Sequence, residues 1–287
     1  MRKTIITLTS AVVLSLGLGG VANAAGGGPK PPAEDWSWTG YFGSFDRASA
    51  QRGLQVYTEV CASCHGLKRV AYRNLVDLGY SAEEIKGYAA EFEVEDGPNS
   101  EGEMFTRPAK PSDRFVSPFP NNEAAIAANG ALPPDLSLII KTRAGGEGNI
   151  AVNFVKWMGG RGTASGADYL YHLLTGYIEE DDVEVAIADG RLQHGFVPIE
   201  GKGINQWFAG HNISMSPPFD DDYVEYEDGT EASKEQIARD VTTFLAWASE
   251  PELEQRKSVG IYVILFLLVM LGLFIGAKRR LWAGIKH

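Results

Sequence analysis

The sequence predicts a mainly α fold with one C-terminal transmembrane helix. Apolar residues recur at helical spacing in several segments, as at Ile237, Val241 and Phe244. The alternation of apolar and polar residues that is typical of strands is rare along the chain. Near the C-terminus, residues 260–277 form an apolar run without a charge, which is long enough to cross the hydrocarbon core of a bilayer.

Charge is unevenly distributed along the 287 residues, whose formal net charge is −11. Two short ends hold no acidic residues and carry six of the 26 Lys and Arg side chains, namely Arg2, Lys3, Lys278, Arg279, Arg280 and Lys286. The body between them is therefore strongly acidic. This charge excludes nucleic acid as a partner, because phosphates require a basic face, and it favours a basic protein partner.

The first 24 residues are typical of a secretory signal peptide. Two basic residues precede a largely apolar segment over 5–21, and Ala22-Asn23-Ala24 matches the small-x-small cleavage pattern. An uncleaved N-terminal anchor is the alternative. We expect residues 1–24 to be removed and the mature chain to begin at Ala25 in the periplasm.

The mature chain predicts a Gly- and Pro-rich arm over residues 25–35 and then a series of helices. Asp46 is a suitable N-cap for a helix over 48–60, which ends at two cysteines. Further helices are predicted over 81–92, 121–128, 135–144, 168–177 and 234–248. The polar stretch 93–103 predicts an exposed loop, and four prolines predict irregular structure over 107–120.

The C-terminal apolar run predicts a membrane anchor over residues 256–280. Basic residues 278–280 follow the run at once and favour a cytoplasmic tail over 281–287. The signal peptide favours the same orientation, because it places the body of the chain outside the cytoplasm. We therefore expect a periplasmic domain over 25–255 on the bacterial inner membrane, held by a single span.

The five residues Cys61-Ala62-Ser63-Cys64-His65 match the attachment motif of haem c. Two thiols at this spacing can each form a thioether to one edge of a porphyrin, and the adjacent imidazole can bind the iron. The alternatives are a thioredoxin-type redox pair, half of a zinc site and a structural disulfide. The motif predicts one covalently bound haem c per chain, because Cys61 and Cys64 are the only cysteines.

An electron carrier usually fills the second axial position of its iron as well. Six side chains are candidates: Met104, Met158, Met215, His172, His194 and His211. His172 lies on the side of its helix opposite Tyr169 and Leu173, which favours a surface position. Met215 is preferred because Pro217 and Pro218 would stiffen the loop that presents its thioether, although a methionine is often core filler.

Five segments together resemble the cytochrome c1 family, the haem subunits of the cytochrome bc1 complex (ubiquinol–cytochrome c reductase), in its alphaproteobacterial form. They are RGLQVYTEVCASCHGL at 52–67, NGALPPDLS at 129–137, YHLLTGY at 171–177, MSPPF at 215–219 and DVTTFLAWASEPE at 240–252. The resemblance implies a cytochrome c-like haem domain with long loops and insertions. It also implies that His65 and Met215 are the axial ligands of the iron.

Further roles follow from the same resemblance. It implies that Pro133 and Pro134 pack on the haem and that Arg143 meets a haem propionate. It assigns the rest of the haem lining to Tyr169, Leu173, Leu174, Phe208 and Ile213. The chain departs from short members of the family at residues 145–166, which we interpret as a surface insertion. The extra disulfide of some bacterial members cannot form with two cysteines.

The resemblance implies electron transfer rather than catalysis by this chain alone. One electron would pass from the Rieske iron–sulfur protein through haem c to a c-type cytochrome, with cytochrome b in the same complex and lipid around the anchor. A membrane-anchored cytochrome c that serves another oxidase or dehydrogenase is the alternative. Acidic stretches at 179–182 and 220–228 are candidate docking surfaces for a basic cytochrome c, or ordinary solvated surface.

Overall fold

The computed structural model describes residues 28–143 and 166–284. The predicted signal peptide, nearly all of the 145–166 insertion and the last three residues lie outside them. The described helices are α1 (Arg47–Glu59), α2 (Ala82–Ala90), α3 (Asn122–Asn129), α4 (Ile139–Thr142), α5 (Gly166–Thr175), α6 (Val183–Ala188), α7 (Lys234–Ser249) and α8 (Leu253–Trp282). Short 3-10 helices cover Cys61–Ser63, Tyr72–Leu78, Leu136–Leu138 and Glu180–Asp182. The described chain is mainly α, as the sequence predicts.

Helices α1 and α7 cross at the centre of the core. Asp46 caps α1 as predicted, accepting a hydrogen bond from the backbone N–H of Ser49 at 3.2 Å. Gly53 allows the close approach, because a Cβ placed there would lie 2.1 Å from the carbonyl oxygen of Asp240 on α7. The Asp240 carboxylate is fully buried and accepts from Arg52 Nε at 2.8 Å, so a charged pair joins the two helices.

The described chain holds two small antiparallel sheets, and the first of them corrects the expectation of loops. Strands β1 (Glu93–Asp96) and β2 (Phe105–Pro108) pair across the segment predicted to be an exposed loop and irregular structure. Arg107 explains this pairing, since its guanidinium binds both Asp96 and Asp113. The second sheet has the order β3-β4-β5, formed by Tyr177–Ile178, Gly203–Asn205 and Asn212–Ile213. Such short strands show too little alternation to be recognised in a sequence.

The predicted helix over 135–144 is interrupted. Asp135 accepts from the backbone N–H of Ser137 at 3.0 Å and starts a 3-10 turn, and α4 then follows. The same carboxylate accepts from the N–H of Lys68 at 2.9 Å through its other oxygen. This segment is therefore fixed against the chain that follows the CASCH motif.

Helix α8 is long and apolar enough to cross a membrane, and no residue of its apolar window is buried within the chain. It extends beyond the predicted span 256–280 at both ends. Glu254 anchors its first turn to the domain through a bidentate pair with Arg47 at 2.7 and 2.9 Å. A helix of this kind fits a single-pass membrane anchor.

Candidate haem-binding site

One cavity of about 720 Å³ opens beside the CASCH motif. All twelve residues assigned to a haem site in the sequence line it: Cys61, Cys64, His65, Pro133, Pro134, Arg143, Tyr169, Leu173, Leu174, Phe208, Ile213 and Met215. They come from segments that are far apart in the chain. Their individual roles stay predictions, but the fold brings every one of them to the same cavity.

Helix α1 delivers the motif to this cavity. The chain leaves α1 at Glu59 and makes a 3-10 turn, in which the backbone N–H groups of Cys64 and His65 donate to the Cys61 carbonyl at 3.1 and 2.8 Å. Both thiols are free. Burial raises the pKa of Cys61 to about 12, and the neighbouring Cys64 adds to that rise, so its thiol is protonated at neutral pH.

The structure bears on the three alternative interpretations of the motif, which are a disulfide, a zinc site and a thioredoxin-type redox pair. A structural disulfide does not match two unjoined cysteines. Within residues 28–143 and 166–284, no group of three or more His, Cys, Asp or Glu side chains could hold a metal ion, which argues against zinc. The sheets described are antiparallel and lack the βαβ unit that accompanies a thioredoxin-type pair.

The orientation of the His65 ring is fixed by a carbonyl. His65 Nδ1 donates to the carbonyl oxygen of Pro134 at 2.8 Å, which leaves Nε2 as the nitrogen with the lone pair. Burial lowers the pKa of His65, which favours the neutral imidazole that a metal requires. Tyr57 supports the same residue by donating from its hydroxyl to the His65 carbonyl at 3.1 Å.

Met215 reaches the cavity at the end of the three-stranded sheet. Tyr177 on β3 donates from its hydroxyl to the Met215 carbonyl at 3.0 Å. Gly203 on β4 leaves room for this contact, because a Cβ there would lie 2.9 Å from the same carbonyl oxygen. Sequence analysis assigned no role to Tyr177, although it ends the YHLLTGY segment.

Of the six candidates for the second ligand, Met215 is the one that lines the cavity among the described residues. Met104, His194 and His211 lie elsewhere, and Met158 is outside the described residues. The surface position expected for His172 is wrong. Its side chain is largely buried, and Nε2 lies 3.2 Å from a carboxylate oxygen of Glu34 in the N-terminal arm.

Apolar side chains form much of the remaining wall. Leu173 and Leu174 on α5 are buried, and Tyr169 lies on the same helix. The Arg143 guanidinium is exposed and lies 5.9 Å from the centre of the Tyr169 ring. Sequence analysis missed several other lining residues: Val60, Asn129, Leu132, Tyr223 and Leu245. Asn129 could have been noticed, since it opens the NGALPPDLS segment, and its Oδ1 lies 3.4 Å from the Cys64 sulfur.

These residues fit a covalently bound haem. The cavity is of a size that takes a cofactor, and its walls are mainly apolar, with Glu59, Asn129 and Arg143 among the polar residues. Two free thiols, one oriented imidazole and one thioether supply the groups that haem c requires. Arg143 supplies a cation for a carboxylate.

The chain matches the family model described as the Cytochrome C1 family over residues 36–285. The chain belongs to the cytochrome c1 family. The resemblance in the sequence is thereby confirmed, and so is the expectation of a mainly α haem domain with one long apolar helix at its C-terminus.

Relatives in the cytochrome c1 family match nearly the whole chain. Cytochrome c1 of Rhodospirillum rubrum is 46% identical over 279 residues, which cover 95% of this chain and 94% of the relative. The protein named cytochrome c1, heme protein, mitochondrial, of Saccharomyces cerevisiae is 44% identical over 92% of this chain and 75% of its own. A Candida albicans relative, named cytochrome b-c1 complex catalytic subunit, is 43% identical over 92% and 81%.

Proposed function

We propose that this chain is the electron-transfer subunit of a ubiquinol–cytochrome c reductase. It accepts one electron from the Rieske iron–sulfur protein and passes it through one covalently bound haem c to a c-type cytochrome. One observation carries the proposal. His65 and Met215, which are remote in sequence, line the same cavity as the two cysteines of the attachment motif.

The residues of the cavity have separate tasks in this proposal. When bound, the haem supplies an iron that alternates between the ferric and ferrous states. Cys61 and Cys64 would tether the porphyrin, and His65 and Met215 would hold its iron. An iron held by two protein side chains suits electron transfer rather than bond-making chemistry.

The surroundings favour the reduced state. Leu173, Leu174 and Ile213 are buried and would keep water from the haem, and an apolar site would disfavour the more highly charged ferric form. The thioether of Met215 would be a soft ligand with the same preference. Arg143 would offset the charge of a haem propionate.

The chain acts within a complex and is not an enzyme by itself. Cytochrome b and the Rieske protein are its partners there, and the quinol sites lie on other subunits. Residues 25–255 form the haem domain in the periplasm, 256–280 cross the bacterial inner membrane, and 281–287 lie in the cytoplasm. Supporting observations are the apolar helix α8 and its terminal basic residues Arg279 and Arg280.

Substitution of the proposed sulfur ligand tests the site directly. We expect Met215→Leu to abolish the far-red absorption band of methionine-ligated ferric haem. The reduction potential should fall by on the order of 0.1 V, since axial ligands set haem potentials across roughly 0.8 V. The measurements are an absorption spectrum and a redox titration of the detergent-solubilised protein.

Met104→Leu is the matched control. Met104 is 55% exposed and does not line the cavity, so its substitution should leave both the band and the potential unchanged. An unchanged spectrum in Met215→Leu would refute the ligand assignment. Co-purification with a b-type cytochrome and an iron–sulfur protein tests the complex separately, and its absence would favour service to another oxidase or dehydrogenase.

A further inference from the structure

Residues 36–45, which we call the aromatic loop, lie between the N-terminal arm and α1. Their sequence is WSWTGYFGSF, with five aromatic residues and no charged one. The backbone N–H of Ser44 donates to the Ser37 carbonyl at 3.1 Å and closes the loop. Trp36 and Phe45 are buried at its base, whereas the Phe42 side chain at its tip is 89% exposed.

Hydrogen bonds join the loop to the first turns of α8. Tyr41 donates from its hydroxyl to the Lys257 carbonyl at 3.2 Å. In return, the Lys257 ammonium donates to the carbonyl oxygens of Trp38 and Gly43 at 2.7 and 2.9 Å. The tip of the loop therefore has a fixed position relative to the anchor helix.

That position is the level at which the apolar part of α8 begins. A Cβ at Gly260, the first residue of the apolar run, would lie 3.4 Å from the Tyr41 hydroxyl. Gly260 follows Lys257 by about 4.5 Å along the helix axis. Phe42 is the next residue after Tyr41, so its exposed ring stands beside the end of α8 that faces the domain.

We propose that the aromatic loop is a second membrane contact of this chain and that the Phe42 ring inserts into the lipid interface. Trp and Tyr are enriched at this depth of a bilayer, and Phe is common on the apolar face of segments that lie in the interface. The loop itself carries no charge that would have to be desolvated, and the nearby Lys257 ammonium is already bonded to two carbonyls.

Photocrosslinking of the full chain in its native membrane tests the proposal. Phe42 is replaced by p-benzoylphenylalanine, the membranes are illuminated, and adducts are identified by mass spectrometry. Because Phe42 is almost wholly exposed, the substitution leaves the fold intact. We expect lipid adducts at position 42.

Three control positions make every outcome decisive. Phe266 and Leu268 face different directions on α8 and should form lipid adducts, while Val197, which is 72% exposed in the domain, should form none. A probe at position 42 that behaves like one at Val197 would overturn the proposal. So would an adduct between position 42 and a partner protein, since the loop would then be a subunit contact.

Discussion

The Tyr177 hydroxyl is the one side-chain group seen to hold the backbone of Met215 among the described residues. The thioether can bind iron only if the chain that carries it stays in place, and the hydroxyl restrains that chain at 3.0 Å. Gly203 permits this arrangement, because a Cβ at that position would lie 2.9 Å from the Met215 carbonyl oxygen. A residue remote from the iron therefore sets how firmly the proposed ligand is held.

Removal of this hydroxyl should loosen the ligand without removing it. Loss of one hydrogen bond costs about 1 kcal/mol, or about fivefold in the equilibrium for thioether displacement. In Tyr177→Phe we expect the far-red band to persist at neutral pH and to be lost at a lower pH in an alkaline titration than in the parent. Tyr223→Phe is the control, because Tyr223 lines the cavity but makes no bond to Met215 in the described structure. Coincident titrations of the two variants would contradict this role.

Among the helices, the crossing of α1 and α7 depends on the absence of a side chain at Gly53. A Cβ there would meet the Asp240 carbonyl oxygen at 2.1 Å and Phe244 Cβ at 2.7 Å. Neither atom can move without shifting α7, which carries much of the core. The two helices are thereby held at a separation that also sets the position of the CASCH motif.

Two glycine substitutions distinguish the effect of this close packing on stability from the effect of helix propensity. We expect Gly53→Ala to lower the free energy of unfolding by about 2 kcal/mol, since overpacking outweighs the gain of a better helix former. A Cβ at Gly87 on α2 would meet no other atom within 4 Å, so Gly87→Ala should raise stability by about 0.5–1 kcal/mol. Denaturant titration of the solubilised protein measures both. Equal effects of the two substitutions would mean that the crossing is not tightly packed.

Local signals account for what the sequence predicts at the level of elements. The Asp46 cap, the spacing of Cys61 and Cys64 and the apolar run of α8 each lie within a few turns of chain. The pairing of β1 with β2 and the bond from Tyr177 to Met215 join residues that no periodicity connects. The resemblance to the family identified twelve residues of the cavity. It did not identify the side chains that hold those residues in place, such as Tyr177.

At the scale of the whole molecule, the acidic stretch 220–228 lies beside the cavity. Residues 220–228 follow Pro217 and Pro218, which line the cavity, and Tyr223 within the stretch lines it too. Asp228 is bonded to Arg52, and Asp221 accepts from the N–H at the start of α7, so these two have structural tasks. The other acids of the stretch are exposed beside the site.

Salt should weaken an encounter with a basic cytochrome c at this surface. We expect the second-order rate constant of electron transfer to fall about tenfold between about 0.01 M and about 0.15 M salt, because the Debye length shortens from about 30 Å to about 8 Å. Stopped-flow kinetics measures how steeply this rate constant falls as the salt concentration rises. Glu225→Gln should make that dependence weaker, whereas Glu101→Gln in the β1–β2 connection should leave it unchanged. A rate independent of salt would leave these acids as ordinary solvated surface.

Helix α1 is a rigid connection of fixed length between the base of the anchor helix and the proposed haem site. Its first residue, Arg47, is bonded to the base of the anchor helix, and the CASCH motif follows its last turn. Thirteen residues span about 20 Å, which limits how far the haem can stand from the aromatic loop. Because no flexible segment separates them, a haem bound at this motif would not swing relative to the anchor helix. We therefore expect any movement needed for electron transfer to come from the proposed partner proteins.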